Sequence, residues 1–358
     1  MAITHAAVKI PGQRGYASEW NDAHVVSGVC IEANNCNFKV GSATLVVDVN
    51  GKGDYTDIQS ALNALPAGGG KILVKEGTYN IAATITIPIS NVAIIGSGYA
   101  TEIKSTGNFN VFYADTKSNL IFEKLQINGT GIPNNQNRGI SLADCSNVYI
   151  KDCYFWNLGW NCIAVVSGWD IWIVNNYISS LGGNGVYLGG TASRIWVVGN
   201  EIEACEASGI QITTAYICYI RDNNIYANGT YGILLGNNYG SQIISNLVEA
   251  SWYHGIYVYG SQKVTIKGNY IYNNGQEAND TYSNIHLEAY NSINSIRNII
   301  SGNEILGTGV ANSPKYGYRE ADANQDKNIV LGNVAVGAIT ANISVQGANT
   351  INQHNIVT

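Results

Sequence analysis

The chain has 358 residues, of which 46% are hydrophobic and only 12% charged, with 40 Gly, 23 Tyr and 5 Pro. That apolar content excludes a disordered chain, and abundant Gly, Tyr and β-branched residues favour short strands and tight turns over long helices. A net charge of −6, a pI near 5.4 and scattered basic residues argue against nucleic acid or an anionic membrane as partner, and no apolar run approaches the roughly 18 residues of a membrane span.

In chain order, residues 1–40 stand apart as an N-terminal appendage. Their opening 20 residues hold no apolar segment like a secretory signal. The stretch HAAVKIPGQRGYASEWNDAHVV resembles N-terminal segments of phage tail and tail-fibre proteins, which implies an extracellular or virion-associated location. Cys30 and Cys36 are spaced to bridge a small loop there. The seven Cys are odd in number and form no CxxC pair, so no zinc site is expected. Cys153, Cys162 and Cys218 fall at inward positions of the repeat described below and read as small apolar core groups.

Residues 46–79 read VVDVNGKGDYTDIQSALNALPAGGGKILVKEGTY. A short helix is predicted inside this stretch, with Thr56 as N-cap and Ile58, Ala61, Leu62 and Leu65 facing a core. NVAIIGSGYATEIKS at 91–105 reads as the first regular coils.

From there the chain repeats. A ladder of Asn recurs at 176, 200, 223, 246, 269, 303 and 333, with successive spacings of 24, 23, 23, 23, 34 and 30, and Asn355 follows 22 later. Cys153 occupies the same slot one unit before Asn176. A second column agrees: Ile140, Ile163, Val186, Ile210, Ile233, Ile256 and Ile285. Each unit holds three short alternating stretches and no helical one, which points to an all-β, right-handed parallel β-helix of three-strand coils over residues 41–358. The Asn amide suits such a corner because it bonds turn backbone and neighbouring Asn amides, and because Asn tolerates the left-handed conformation. With these passages in place, residues 46–358 resemble the pectate-lyase superfamily. The resemblance implies the fold with a capping helix at the open end, and leaves the chemistry open among lyases, hydrolases, esterases, epimerases and non-enzymes.

The repeat also dictates which side chains face out. The second strand presents Tyr149, Trp172, Trp196 and Tyr219, followed by Gln242 and Thr265. This column reads either as a platform for sugar rings or as a covered or self-stacked surface. The third strand presents Glu203 and Glu249 two coils apart, about 9.6 Å by the strand spacing, near the upper limit for an inverting carboxylate pair. Solvated surface glutamates are the plainer reading. The first strand presents Tyr187, Gln211, Tyr257, His286 and Arg319 in one column, and Tyr259 and Glu288 in the next, with His254 just ahead. These coils carry the longest insertions, near 273–283 and 307–316, which favours a groove.

His254, Tyr257, His286, Glu288 and Arg319 are therefore the candidate catalytic residues. Tyr187, Gln211, Tyr259 and the Tyr149–Trp172–Trp196–Tyr219 column are the candidate substrate contacts. A His–Glu pair with Tyr and Arg suits acid–base chemistry on a sugar, the Arg neutralising a carboxylate. Within the superfamily, YHGIYV at 253–258 resembles the His-Gly element of polygalacturonases. The Asp cluster and the Arg-Ile-Lys of those enzymes are missing, and so is the acidic calcium site of pectate lyases. No metal or other cofactor is expected. The sequence thus points to a polysaccharide as partner and to a glycoside hydrolase or polysaccharide lyase. A non-catalytic glycan-binding tail protein and a structural spike are the alternatives, and the phage reading carries with it a homotrimer.

Overall fold

The computed structural model describes residues 43–129, 137–179, 182–278, 281–309 and 313–358, and the backbone of 2–3 and 26–27. The chain divides into two units, 1–42 and 43–358. In the first, Ala2–Ile3 pairs antiparallel with Val26–Ser27. The expected Cys30–Cys36 bridge and the tail-like segment lie outside the described residues.

The second unit is a solenoid of about 13 turns. Each regular coil gives one strand to each of three parallel sheets, of 11, 13 and 12 strands in the order in which the chain visits them. We call these the first-, second- and third-strand sheets. Every strand pairs with its equivalents one coil before and one coil after, so Val148, Ile171, Ile195 and Cys218 form one inward column in strict register. Such columns of Ile, Val, Leu and Cys fill the interior and are almost fully buried. Cys145, Cys153, Cys162, Cys205 and Cys218 are buried. Burial pushes the Cys153 and Cys218 thiols up to about 12, so they pack as small apolar groups and offer no thiolate at neutral pH.

A single α-helix among the described residues, Ile58–Asn63, closes the N-terminal end with Ile58, Ala61 and Leu62 turned inward. Its N-cap is Asp57, whose Oδ1 accepts the Ser60 N–H at 2.8 Å. The expected cap, Thr56, lies one residue too early. The helix starts where Ile58 first reaches the core, and the carboxylate of Asp57 is well placed for the positive end of the helix.

The corner between the second- and third-strand sheets carries the asparagine ladder. The Oδ1 of Asn200 accepts both the backbone N–H and the Nδ2–H of Asn176, at 2.9 and 3.0 Å. The Nδ2 of Asn200 in turn donates to the carbonyl of Ile173 and to Oδ1 of Asn223. The pattern repeats through Asn223, Asn246, Asn269, Asn303 and Asn333, and ends on Asn355. Each amide from Asn176 to Asn333 is buried with its bonding capacity used. Cys153, in the slot before Asn176, keeps only the backbone half of the bond, donating its N–H to Asn176 Oδ1.

One expectation about the ladder is corrected. The left-handed residue is the one before each ladder Asn: Asp152, Asn175, Gly199, Asp222, Ser245, Gly268, Gly302, Gly332 and His354 all have φ between 54° and 66°. The preceding residue absorbs the corner, which frees the ladder residue to aim its amide inward. Most of these positions hold Gly, Asn or Asp, which tolerate that backbone best.

Replacing one ladder amide by an apolar isostere should therefore cost far more than its size suggests. Asn246→Leu orphans the N–H and Nδ2 of Asn223 and the carbonyl of Ile220. A loss on the order of 3 kcal/mol is expected in denaturant unfolding. Gln242→Ala on the adjacent outer face should stay within about 0.5 kcal/mol.

Candidate active site

The strand register brings the predicted residues of the first-strand sheet together. Tyr187 pairs with Gln211, Gln211 with Leu234, Leu234 with Tyr257, Tyr257 with His286 and His286 with Arg319, giving one outward column. Tyr259 pairs with Glu288 in the next column. Adjacent members lie about 4.8 Å apart along the axis. The buried Leu234 separates Tyr187 and Gln211 from the group around His286.

His254 reaches the site from the corner between the third- and first-strand sheets. There the side chain of one coil caps the backbone of the next: Asn161 Oδ1 accepts the N–H of Asn184, and Asn184 Oδ1 that of Ser208. His254 does the same work with Nδ1, which accepts the Ser283 N–H at 2.8 Å. Its ring stacks on His286 at 4.3 Å and 15°, with Tyr231 on the other side at 5.9 Å and 11°. At 9% exposure it is a buried wall behind His286 rather than a group facing a ligand.

His286 is 6% exposed, and its Nδ1 has no hydrogen-bond partner among the described residues. Its Nε2 lies 3.8 Å from Glu288 Oε2. Burial, and then the charge of Arg319, lower its pKa to about 4. His254 is held well below the usual range by burial, by His286 and by Arg319, against the raising effect of its Ser283 bond. Both imidazoles are neutral at pH 7. Glu288 is the exposed member, and its Oε2 accepts the Tyr257 hydroxyl at 2.6 Å. Burial and that bond push the Tyr257 phenol far above its ordinary value. Tyr257 therefore orients Glu288 and does not act as a base. Arg319 makes no salt bridge among the described residues; its guanidinium lies over the Tyr316 ring, 5.0 Å from the centre.

Sequence reasoning missed part of this cluster. Tyr231, Tyr253, Tyr282 and Tyr290 add rings around the histidines and Tyr259. Tyr231 was detectable, because it precedes His254 by one repeat in the same corner slot. Gly236 belongs too: a Cβ there would come within 2.0 Å of the Tyr259 ring, so only glycine lets that ring lie flat over the coil before it.

Other predicted contacts separate from the site. Tyr149, Trp172, Trp196 and Tyr219 stack on one another at 4.4, 4.8 and 5.3 Å with planes within 11° of parallel. Their faces are spent on each other and water sees their edges, whereas a pyranose needs a free face. On the third-strand sheet Glu203 and Glu249 flank Tyr226, and Glu203 also accepts the Tyr177 hydroxyl. The phenol between them occupies the place where an attacking water would sit. A cleft of about 430 Å³ lined by Tyr99, Tyr177 and Glu201 lies on that side, away from His286. Residues 279–280 and 310–312 of the two long insertions lie outside the described residues.

Residues 110–265 and 208–358 match the family described as right handed beta helix region. The chain belongs to that family. Solved structures share this fold. The A-module of the mannuronan C-5 epimerase AlgE4 of Azotobacter vinelandii superposes with a TM-score of 0.66 at 17% identity, covering 83% of this chain and 94% of that one. DFA-IIIase of Arthrobacter chlorophenolicus gives 0.60 at 14%, covering 80% and 76%. The enzymatically active domain of tailspike protein 2 of bacteriophage CBA120 gives 0.59 at 12%, covering 80% and 47%. At such identities the likeness is one of fold. A curated relative, a probable pectinesterase/pectinesterase inhibitor of Arabidopsis thaliana, is 37% identical over 81 residues, which is 22% of this chain and 14% of that protein. No helix among the described residues is long and apolar enough to cross a membrane, and no group of three or more His, Cys, Asp or Glu among them is arranged to hold a metal ion.

Two outcomes follow from this geometry. His254→Asn restores the capping acceptor of Asn161 and Asn184, so it should keep stability within about 1 kcal/mol, while His254→Ala leaves the Ser283 N–H orphaned and costs about 2 kcal/mol. Thermal unfolding of the pair checks this. The second concerns pH. The folded pKa of His286 lies below the unfolded value of 6.5, so the unfolded chain binds more protons between the two. The contribution is present above pH 6.5 and is lost as pH falls toward 4. Wild type should lose about 2 kcal/mol relative to His286→Gln between pH 7 and 4.5, read from denaturant midpoints.

Proposed function

We propose that this protein binds a long acidic polysaccharide along its first-strand sheet and processes it at His286, Glu288 and Arg319. The observation that carries the reading is Arg319: a cation that makes no salt bridge among the described residues, one coil from a neutral imidazole on the face that also carries the half-exposed Glu288. A uronate carboxylate fits that position. Tyr187, Gln211 and Tyr259 would contact neighbouring sugars along the same face, and the long loops would wall the groove. The epimerase, DFA-IIIase and tailspike folds, and the short pectinesterase match, support a carbohydrate ligand.

Among the two chemistries expected from the sequence, the site favours elimination over hydrolysis. Hydrolysis by the usual route needs two carboxylates, and Glu288 is the one carboxylate among the predicted site residues. Elimination needs a base for the proton on the carbon next to the uronate carboxyl. Pairing that carboxyl with Arg319 acidifies the proton and also offsets the Arg319 charge, which after burial is the smaller of the two effects that depress His286. The substrate thereby raises the basicity of its own base, and Glu288 stabilises the imidazolium that forms. The C–H pair becomes the new C=C bond, and the neighbouring C–O bond breaks with its electrons on the leaving oxygen, which takes a proton from water. A tail protein that grips a surface glycan without turnover remains the second reading, supported by the tailspike fold and by the tail-like N-terminal stretch; it would place the chain on a virion.

A panel of polyuronates and neutral polysaccharides tests this. Elimination gives rising absorbance near 235 nm from uronate polymers, and hydrolysis gives new reducing ends without it. Retention on immobilised glycan without either supports binding alone. His286→Ala and Glu288→Gln should each lower turnover by at least about 100-fold; intact activity in both would remove the site from the first-strand sheet. Binding of a polyuronate should also raise the His286 pKa, read from its imidazole NMR shifts, and Arg319→Gln should abolish that rise.

A further inference from the structure

The outer face of the second-strand sheet is unusually apolar for a surface in water. Leu73, Ile299, Leu331 and Ile351 all stand at least one-third exposed along it, besides the edges of the stacked aromatics. Thirteen strands at about 4.8 Å make a strip about 60 Å long, and a strand width of about 13 Å gives on the order of 800 Å². That is the share of one partner in a standard specific interface. Large apolar patches of this kind are interaction sites.

The charges identify the partner. Arg221 and Lys267 on this face are exposed and make no salt bridge among the described residues. The outer face of the third-strand sheet is acidic, through Glu201, Glu203, Glu249 and Glu304, none of them in a salt bridge there. The two sets alternate along the axis. The coil of Arg221 carries Asn224 and Tyr226 on its third strand, with Glu201 and Glu203 one coil below and Glu249 one coil above. The coil of Lys267 carries Tyr270 and Tyr272, with Glu249 below and Glu304 above. At two other places along the axis the faces match in kind: Tyr149 and Trp172 share their coils with Tyr154 and Tyr177, and Ile329 and Leu331 with Val334 and Val336.

We propose that the second-strand sheet of one copy docks on the third-strand sheet of the next, parallel and level with it, so that the copies close a ring around their asparagine corners. A rotation axis parallel to the solenoid keeps each coil level with itself, so each cation of one copy reaches acids one coil away on its neighbour. Two second-strand sheets packed on each other would instead set Arg221, Lys267 and the same apolar strip face to face, where the acids Glu123 and Asp170 already hold Lys151 and Arg194 of their own sheet. Unlike patches joined head to side close a ring when the rotation permits, and three copies is the number expected from the sequence. The first-strand sheet then faces outward, free for a ligand.

Sedimentation equilibrium of the full chain at about 50 µM should give three times 38.4 kDa. Arg221→Glu with Lys267→Glu should reduce the mass to one chain with an unchanged circular dichroism spectrum. Glu249→Lys with Glu304→Lys should do the same. Lys267→Glu together with Glu249→Lys and Glu304→Lys, which exchanges the charges around that coil and leaves Arg221 its acids Glu201 and Glu203 below, should reassemble. A single-chain or two-chain mass for the wild type, or assembly indifferent to both reversals, overturns the ring. A wild-type monomer whose second-strand face is protected in hydrogen exchange overturns it too, and assigns the strip to a cover within the same chain.

Discussion

Everything on the surface of this molecule depends on one buried line of amides. The ladder from Asn176 to Asn355 bonds each coil to the next through side chain and backbone at once, inside a core with no water to substitute. A slip by one residue would orphan a chain of donors, each at a cost of about 1–3 kcal/mol. The corner therefore accepts no insertions. Where the spacing rises to 34, between Asn269 and Asn303, the ladder bond is still 2.9 Å. The extra residues leave at the other two corners, in the stretch before Ser283 and the stretch after Glu288. Both corners border the first-strand sheet. The fold can grow loops only beside that face, and that is where the histidines, Glu288 and Arg319 stand.

The same rigidity explains what the sequence made legible. A repeat fixed by buried amides preserves its period, so the ladder, the three sheets and the outward columns followed from spacing alone. Even Arg319, two insertions beyond the regular coils, pairs with His286 as the alignment required. Ring orientation was not legible. Period tells that Trp172 and Trp196 share a face, but only the coil spacing and the side-chain rotamers decide that they stack and hide their faces. The role of His254 was hidden for a related reason. Its neighbours in the corner slot are Asn, Ser and Tyr, so no residue type marks the slot, although Asn161 and Asn184 accept a backbone N–H there as His254 does. The left-handed corner was misassigned by one position because Asn and Asp suit both slots, and the ladder needs its Asn in the slot where the side chain points inward.

The histidine pair shows how a structural slot becomes a chemical one. His254 caps the Ser283 N–H of the next coil with Nδ1 and so presents an imidazole face to that coil. Only a flat ring packs there, and His286 supplies it at 4.3 Å. Burial, with Arg319 nearby, keeps both imidazoles neutral at pH 7. Tyr257 fixes Glu288 beside His286 with a single 2.6 Å bond, so the carboxylate is aimed before any substrate arrives.

A three-sided solenoid has only three faces, and the chemistry of each restricts the others. Acidic residues dominate the third-strand face, which repels a uronate polymer. On the second-strand face the aromatic rings are already stacked and Leu73, Ile299, Leu331 and Ile351 are aliphatic, so a hydrated glycan gains little there. Among the described residues the first-strand face alone combines a cation outside any salt bridge, tyrosine hydroxyls and a carboxylate held in place. If the other two faces meet in a ring, their exposed apolar strip and unpaired charges are stabilised together, and the ligand face is set outward by the same contact. Assembly and recognition would then be two consequences of how one ladder distributes its residues around the coil.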